Sequence, residues 1–575
     1  MLLQQLREYS ERLDLPPTLY DSVPVRYIID LRPDGVPEGI SDTADATSPA
    51  TRRGVRRLAP QVKRASAIKP LLLADNAEYT LGLAREGSKP ERVEEAHAAY
   101  LDLIERCCAA TENAPIAAVA AFMSRIPDLA LPEDFDRSGL ITFRVDGAFV
   151  IDERSVQGFW AAENAPDNSI LMQCLICGQL RPVLERLQAN IKGGLIPGGQ
   201  TSGTAIISAN ADAFESYGLK ASLTAPTCSD CGERFTKALN HLLGDEESRI
   251  RFGDDSVMTF WTREQETDWN PFALLNEASP EDVRTLLQSL HTGRRATLDA
   301  NRFYAVSLSA AGGRAVVRDW IDVTLPEAQD ALAKWFARQA ILDAATGTMR
   351  HFGLRALGGA TVRDMRDISP PTARALLRCA LTGGPLPQSL LAAAVRRTQA
   401  ERRVTAAHAS LIKIVIVSAT DYAGEEDDMT ALQQEHPSPG YQCGRLMAVL
   451  ESVQRAALPG VKAGIVDRYF GSASSSPASV FSRLVRGAQP HLGVLGRDKP
   501  AVQRALQGRL EQVLDQLPSF PRVLTLQEQG LFALGYYHQR ADDRARMRAA
   551  ADRKRAGTAS AEDLTESEMD DEVGD

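Results

Sequence analysis

Phe303-Tyr304-Ala305-Val306-Ser307-Leu308, then Ala310-Ala311-Gly312-Gly313-Arg314, then Ala315-Val316-Val317-Arg318-Asp319-Trp320-Ile321 decides the fold class. Two runs rich in aromatic and β-branched residues flank a Gly-Gly turn, the pattern of a β-hairpin. Thr324 with Glu327 three residues later forms a capping-box signature, which predicts a helix running to about Leu342. A hairpin feeding a helix is the start of a small open-sheet domain. Working towards the N-terminus, Leu140 to Val145 and Ala148 to Asp152 flank Asp146-Gly147, a second hairpin signal, and Val23 to Leu31 reads as one strand ending at Pro33-Asp34-Gly35. Lys89 to Ser124 has helical spacing. Ser41 to Pro60, without apolar periodicity, reads as a mobile loop. Towards the C-terminus, Tyr441 to Leu458, Ala478 to Gly487, Ala501 to Leu517 and Leu526 to Arg555 carry helical periodicity.

The expectation is therefore an α+β multidomain chain, with N-terminal and central sheet-containing domains and a C-terminal all-helical bundle. Its divisions are 1–165 (α+β with a basic loop), 166–275 (cysteine knuckles and a Gly-rich loop), 276–428 (hairpin plus helix), 429–556 (bundle) and 557–575 (acidic tail). The 575 residues are 44% hydrophobic and 24% charged, a globular composition. No apolar run approaches the ~20 residues of a membrane span; the longest are Ile116 to Met123 and the Lys-interrupted Leu411 to Val417. Met1 to Arg12 reads as an amphipathic helix start rather than a secretory signal, so a cytoplasmic protein with reduced thiols is expected.

Net charge is −10, but Gly557 to Asp575 holds eight acids and no Lys or Arg, so the body is nearly neutral and the tail reads as a disordered solubilising segment. Within the body, Thr47 to Ala74 carries Arg52, Arg53, Arg56, Arg57, Lys63, Arg64 and Lys69 and no Asp or Glu. Such a strip is either a solvated loop or a phosphate-facing surface.

Catalytic motifs are missing: no GxxxxGK[ST], GxSxG or HExxH occurs, and no two of the eight histidines lie within five residues of each other. The acidic run Glu425 to Asp428 reads as a solvated linker rather than a magnesium site. The sharpest chemistry is Cys174-Leu175-Ile176-Cys177-Gly178 paired with Cys228-Ser229-Asp230-Cys231-Gly232. Each CxxCG turns two thiolates to one side, and two such units supply the four ligands of a structural zinc. Cys107, Cys108, Cys379 and Cys443 have no comparable partners. Between the two knuckles, Lys192 to Gly203 is too Gly-rich for a helix or strand interior, and its backbone amides with Lys192, Gly193, Gln200, Thr201 and Ser202 suit a phosphate contact or insertion into a groove. Asp467-Arg468-Tyr469-Phe470-Gly471 places a cation beside two aromatics, of which core packing is the simpler reading.

Several blocks carry a family resemblance: Met1 to Leu6, Val62 to Pro70 running into Asp75 to Gly82, Ile191-Lys192-Gly193, Ser208 to Gly218, Asp467 to Ser474 and Gln529 to His538. Together they resemble the large subunit of the type I-C CRISPR interference complex, Cascade, from residue 1 to about 545. The resemblance implies a non-catalytic protein that reads a short protospacer-adjacent motif on duplex DNA, opens the duplex beside it and leaves sequence reading to the CRISPR RNA. Single-protein RNA-guided effectors divide the labour in the same way, protein contacts reading the short motif and base pairing reading the rest. The resemblance also implies as partners the RNA-loaded backbone subunits, target double-stranded DNA and a separate helicase-nuclease. On that reading Lys63, Arg64 and Lys69 face DNA, Asn76 reads a base edge, Lys192 to Gly203 acts as wedge or clamp, and Arg468 adds a cation. A small subunit from an internal start is also implied, with Met429 the candidate because Met447 would truncate the first bundle helix. The competing readings are a metal-dependent nuclease with an unrecognised site and a zinc-stapled protein scaffold.

Overall fold

The structure, a computed structural model, describes residues 2–17, 19–45, 47–49, 51–62, 64, 67–164, 170–187, 189–209, 211–252, 255–264, 271–276, 283, 301–419 and 429–555. Lys63, the run Glu425 to Asp428 and the acidic tail lie outside them. The chain forms two compact units: the first is Met1–Gly193, Gln200–His241 and Gly313–Ala315, the second Gly194–Gly199, Leu242–Gly312 and Val316–Asp575.

The first unit opens with helix α1 (Leu2–Ser10) and strands β1 (Tyr20–Val25), β2 (Tyr27–Leu31), β3 (Pro37–Asp42), β4 (Val55–Pro60) and β5 (Ala74–Asp75). Helices α2 (Ala77–Thr80), α3 (Pro90–Thr111) and α4 (Ala114–Met123) follow, then β6 (Ile141–Val145), β7 (Ala148–Phe149), α5 (Arg154–Glu163), β8 (Ile170–Gln173), β9 (Leu180–Val183) and α6 (Ser229–Gly244). The sheet runs β3-β2-β6-β5 with β7 paired to β6, and β2 and β6 are parallel. Alternation in β2 buries Tyr27, Ile29 and Leu31 in one core with Tyr100 and Leu103 of α3, Phe122 of α4 and Trp160 of α5. The Asp146-Gly147 hairpin is present, with both residues at positive φ, as a tight two-residue turn requires.

Two expectations are corrected. Val23 to Leu31 is two strands, broken at Arg26, where the amides of Arg26 and Tyr27 both donate to the Leu140 carbonyl; β1 then pairs with β4 while β2 pairs with β3 and β6. Ser41 to Pro60 is not all loop: Val55–Pro60 is a strand in register with β1, Tyr20 opposite Pro60. Val55, Arg56 and Leu58 are all exposed, so β4 carries no one-sided apolar pattern for the sequence to reveal.

The second unit holds a sheet in the order β10 (Arg249–Phe252), β11 (Ser256–Thr262), β12 (Arg302–Ala311), β13 (Arg314–Thr324). Gly312-Gly313 makes the β12–β13 turn. After α7 (Pro271–Asn276), the capping box opens α8 (Leu325–Gln339): Thr324 Oγ1 accepts from the Glu327 amide at 3.3 Å and Glu327 Oε2 from the Thr324 amide at 2.8 Å. The helix stops three residues before Leu342 because β14 (Ile341–Leu342) pairs with β15 (Met349–Arg350). Helices α9 (Leu354–Gly359), α10 (Pro370–Thr382), α11 (Gln388–Glu401), α12 (Ala406–Ser418), α13 (Pro439–Ala457), α14 (Ile465–Ser475), α15 (Phe481–Asp498), α16 (Pro500–Asp515) and α17 (Leu526–Arg555) complete it. They share one apolar core with β11, β12 and α8. The apolar run from Leu411 lies in α12, which is buried on almost every side, and Lys413 meets its hydrogen-bonding need by donating to the Ala340 carbonyl at 2.8 Å.

Helices α13 and α17 touch backbone to backbone. A Cβ on Gly444 would collide with the Phe532 carbonyl and lie 2.8 Å from the Tyr536 amide, and one on Gly535 would collide with the Tyr441 carbonyl. Neither obstacle is a movable side chain. Gly444→Ala is expected to lower stability by about 3 kcal/mol, at the upper end for overpacking, read as a shifted urea midpoint; Gly487→Ala, where a Cβ meets open space, is the control and should be neutral or stabilising.

Candidate metal centre and nucleic-acid interface

Cys174 and Cys177 occupy the turn between β8 and β9. That turn is closed by the Cys174 amide donating to the Gln179 carbonyl and the Gly178 amide to the Cys174 carbonyl, both at 2.9 Å, with Gly178 at φ +71°. Cys228 precedes α6 and Cys231 sits in its first turn, where the Gly232 amide donates to the Cys228 carbonyl at 3.0 Å. An isolated bridge between Val183 and Cys228 and a 2.9 Å bond from the Leu175 amide to the Pro226 carbonyl bring the two turns together.

All four Sγ atoms then lie within 4.8 Å of one another. Four sulfurs at ~2.3 Å from a tetrahedral zinc stand about 3.8 Å apart, so the donor set fits that ion. Burial pushes the thiols of Cys228 and Cys231 up. Burial acts on Cys174 in the same sense, but the amides of Cys177, Cys228 and Ile176 outweigh it and hold that thiol at about 7. One thiolate is thus available near neutral pH, and a divalent ion would displace the remaining protons. Four thiolates fill a tetrahedron, leaving no position for a substrate, so the cluster is suited to holding chain segments together.

The other sequence-selected residues take several different places. Arg64 turns inward: Nη1 donates to Asp75 Oδ1 at 2.9 Å, Nη2 to Oδ2, and the guanidinium lies 4.3 Å from the centre of the Tyr79 ring. Asp75 is fully buried and also accepts from the Leu71 and Asn76 amides, both at 2.8 Å. Asn76 caps α2, its Oδ1 accepting from the Glu78 amide at 3.1 Å, and remains half-buried. Lys69 is exposed, as are Arg52 and Arg53 in the turn before β4, and none of the three has an ion-pair partner among the described residues. Arg57 is instead tied to Asp152 at 2.9 Å over the Phe149 ring.

Lys192 to Gly203 contains no helix or strand. Its ends are pinched by reciprocal bonds between Ile191 and Thr204 at 2.8 and 2.9 Å. A Cβ on Gly193 would collide with the Thr201 carbonyl, so that glycine sets the closeness of the two arms. Lys192 Nζ meets Asp21 at 3.0 Å, and its amide donates to Asn240 Oδ1 at 2.9 Å. Gln200, Thr201 and Ser202 are exposed. Arg468, on α14 of the second unit, is exposed, whereas Phe470 packs edge-on to Phe532 and Tyr536, as the sequence suggested.

Sequence reading missed α6. Its Glu233, Lys237, Asn240 and His241 share a wall of a cavity of about 740 Å³ with Lys192 and Ser202. Glu233 accepts from the Leu19 amide at 2.7 Å and Lys237 donates to the carbonyls of Pro16 and Pro17 at 2.9 Å, so this helix braces both the N-terminal connection and the root of the Gly-rich segment. The spacing of those four polar residues at i, i+4, i+7 and i+8 was the available signal.

No helix among the described residues is long and apolar enough to cross a membrane. No curated protein matches the chain. A family model described as CRISPR-associated protein (Cas_Csd1) matches residues 3–543, which takes in every candidate residue above. The chain belongs to that CRISPR-associated family, the large subunits of type I-C Cascade.

Proposed function

We propose that this protein is the non-catalytic subunit that reads the protospacer-adjacent motif in an RNA-guided complex, promotes local unwinding and R-loop formation, and recruits a separate helicase-nuclease. The observation that carries this reading is the family match over residues 3–543. The exposed cations Arg52, Arg53 and Lys69, without ion-pair partners among the described residues, support it, because phosphate contact needs charges that are not already neutralised. Backbone subunits carrying CRISPR RNA and duplex DNA are the partners, together with a small subunit translated from Met429. Zinc on Cys174, Cys177, Cys228 and Cys231 is the structural ion.

The test is binding of the assembled RNA-loaded complex to matched duplexes with and without the adjacent motif. Asn76→Ser keeps the helix cap and removes the amide, so relaxed motif preference without lost stability is the expected result. An Arg52, Arg53, Lys69 triple Ala variant is expected to bind more weakly on every duplex, with the salt slope reduced by about 0.9 per lost phosphate contact. Unchanged motif preference and unchanged salt slope would remove the DNA role from this part of the chain.

A further inference from the structure

The end of α11, the start of α12, the α13–α14 connection and the middle of α17 surround a cavity of about 1030 Å³ in the second unit. Four carboxylates line it, and each is already answered. Asp343 takes Arg350 and the Ala345 amide, both at 2.8 Å. Glu401 pairs with Arg397, and Asp467 accepts from the Gly464 amide at 2.8 Å. Glu451, 5% exposed, accepts the Tyr536 hydroxyl at 2.7 Å and pairs with Arg455 at 2.9 Å and Arg540 at 3.2 Å.

The cations are not balanced in this way. Arg402, Arg403, Lys462 and Arg544 line the same cavity, and none has an ion-pair or side-chain hydrogen-bond partner among the described residues. Arg544 is the telling one: it stands four residues beyond Arg540 on α17, half-buried, where burial and then the charges of Arg540 and Arg455 disfavour its own charge. Arg455 and Arg540 already share the single carboxylate of Glu451, so Arg544 beside them is left without a counter-charge, an arrangement that is unfavourable for the protein alone and is relieved by an anion. The N-caps of the 13-residue α12 and the 11-residue α14, Thr405 and Gly464, also lie on this wall, adding the positive ends of two helix dipoles.

We infer that this cavity is a binding site for a phosphate-bearing ligand. A monocarboxylate would answer one of four free cations, whereas phosphate brings up to two charges and several acceptor oxygens matched to guanidinium forks. The volume admits a nucleotide-sized group. The inference is independent of the motif-reading role proposed above, since none of these residues belongs to it.

The experiment uses the purified full chain with three probes: inorganic phosphate, a nucleoside 5′-monophosphate and a single-stranded oligonucleotide. Calorimetry and thermal unfolding are compared for wild type, Arg544→Gln, Arg403→Gln and, as a control, Arg504→Gln, an exposed arginine on α16 outside the cavity. Loss of a charge-assisted bond should weaken phosphate binding by about tenfold in Arg544→Gln, and Arg403→Gln should weaken it in the same direction while Arg504→Gln leaves it unchanged. Without ligand, Arg544→Gln should melt at or above the wild-type temperature, which an arginine with a purely structural role would not do. Displacement of phosphate by the oligonucleotide assigns the site to a nucleic-acid strand, and its failure to displace assigns it to a soluble phosphate compound; both uphold the inference. Absence of binding by all three probes, wild-type binding by both cavity variants, or ligand-free Arg544→Gln melting below wild type overturns it.

Discussion

Stripping the metal from the four-cysteine cluster, or changing Cys231 to Ser, is expected to be the most damaging single perturbation of the first unit. The β8–β9 turn and the start of α6 are 54 residues apart in sequence at Cys174 and Cys228, and apart from the sulfur cluster they are joined by few backbone bonds. Structural zinc in small domains contributes ~10 kcal/mol or more of apparent binding free energy at neutral pH. Even a fraction of that exceeds what the Leu175 and Cys228 bonds can supply at about 1 kcal/mol each. Elemental analysis of the purified chain should find one zinc per molecule. Chelation should expose residues 170–187 and 226–241 to hydrogen exchange and lower the unfolding midpoint, and re-addition of zinc should restore both in wild type but not in Cys231→Ser. A chain that is metal-free as purified and indifferent to chelator would reduce the cluster to four adjacent thiols.

Arg64→Ala is the second large effect. Its partner Asp75 has no exposed surface, and burial pushes that carboxyl up against the opposing pull of Arg64 and the Leu71 and Asn76 amides. Removing the guanidinium leaves a buried carboxylate short of its counter-charge, which costs about 3–5 kcal/mol in comparable buried pairs. Lys69→Ala, five residues away but exposed, should move stability by no more than about 0.5 kcal/mol. Urea unfolding of the two variants separates them. Equal, small effects would mean that the Arg64–Asp75 contact contributes little to stability, and Arg64 would again be a candidate phosphate ligand.

That contrast shows where the sequence was legible and where it was not. The Asp146-Gly147 and Gly312-Gly313 hairpins and the Thr324 capping box were readable because each is a local device whose residues specify their own backbone. The cysteine cluster was readable from spacing alone, since CxxCG presents two sulfurs wherever it is placed. Arg64 could not be distinguished from Lys69, because what separates them is Asp75, eleven residues on and buried only once the sheet has formed. Helix α12 escaped notice for a related reason: buried on almost all sides, it shows no polar face and hence no helical period. Strand β4 failed in the opposite way, with exposed residues on both faces and recognisable only through its pairing with β1.

The burial of α12 reaches beyond the stability of the full-length chain. On α17, Gly530 has no side chain because Leu391 of α11 and Ile412 and Ile416 of α12 fill the space beside it. A polypeptide beginning at Met429 would keep α13 to α17 and lose α11 and α12, leaving that apolar strip bare. Such a product cannot be a lone, water-clad copy of the parental bundle; it has to borrow a lid from a sister molecule or from a larger assembly. One reading frame would then encode a self-sufficient protein and a sociable one, and on this face of the bundle the difference between them would be the missing layer of α11 and α12.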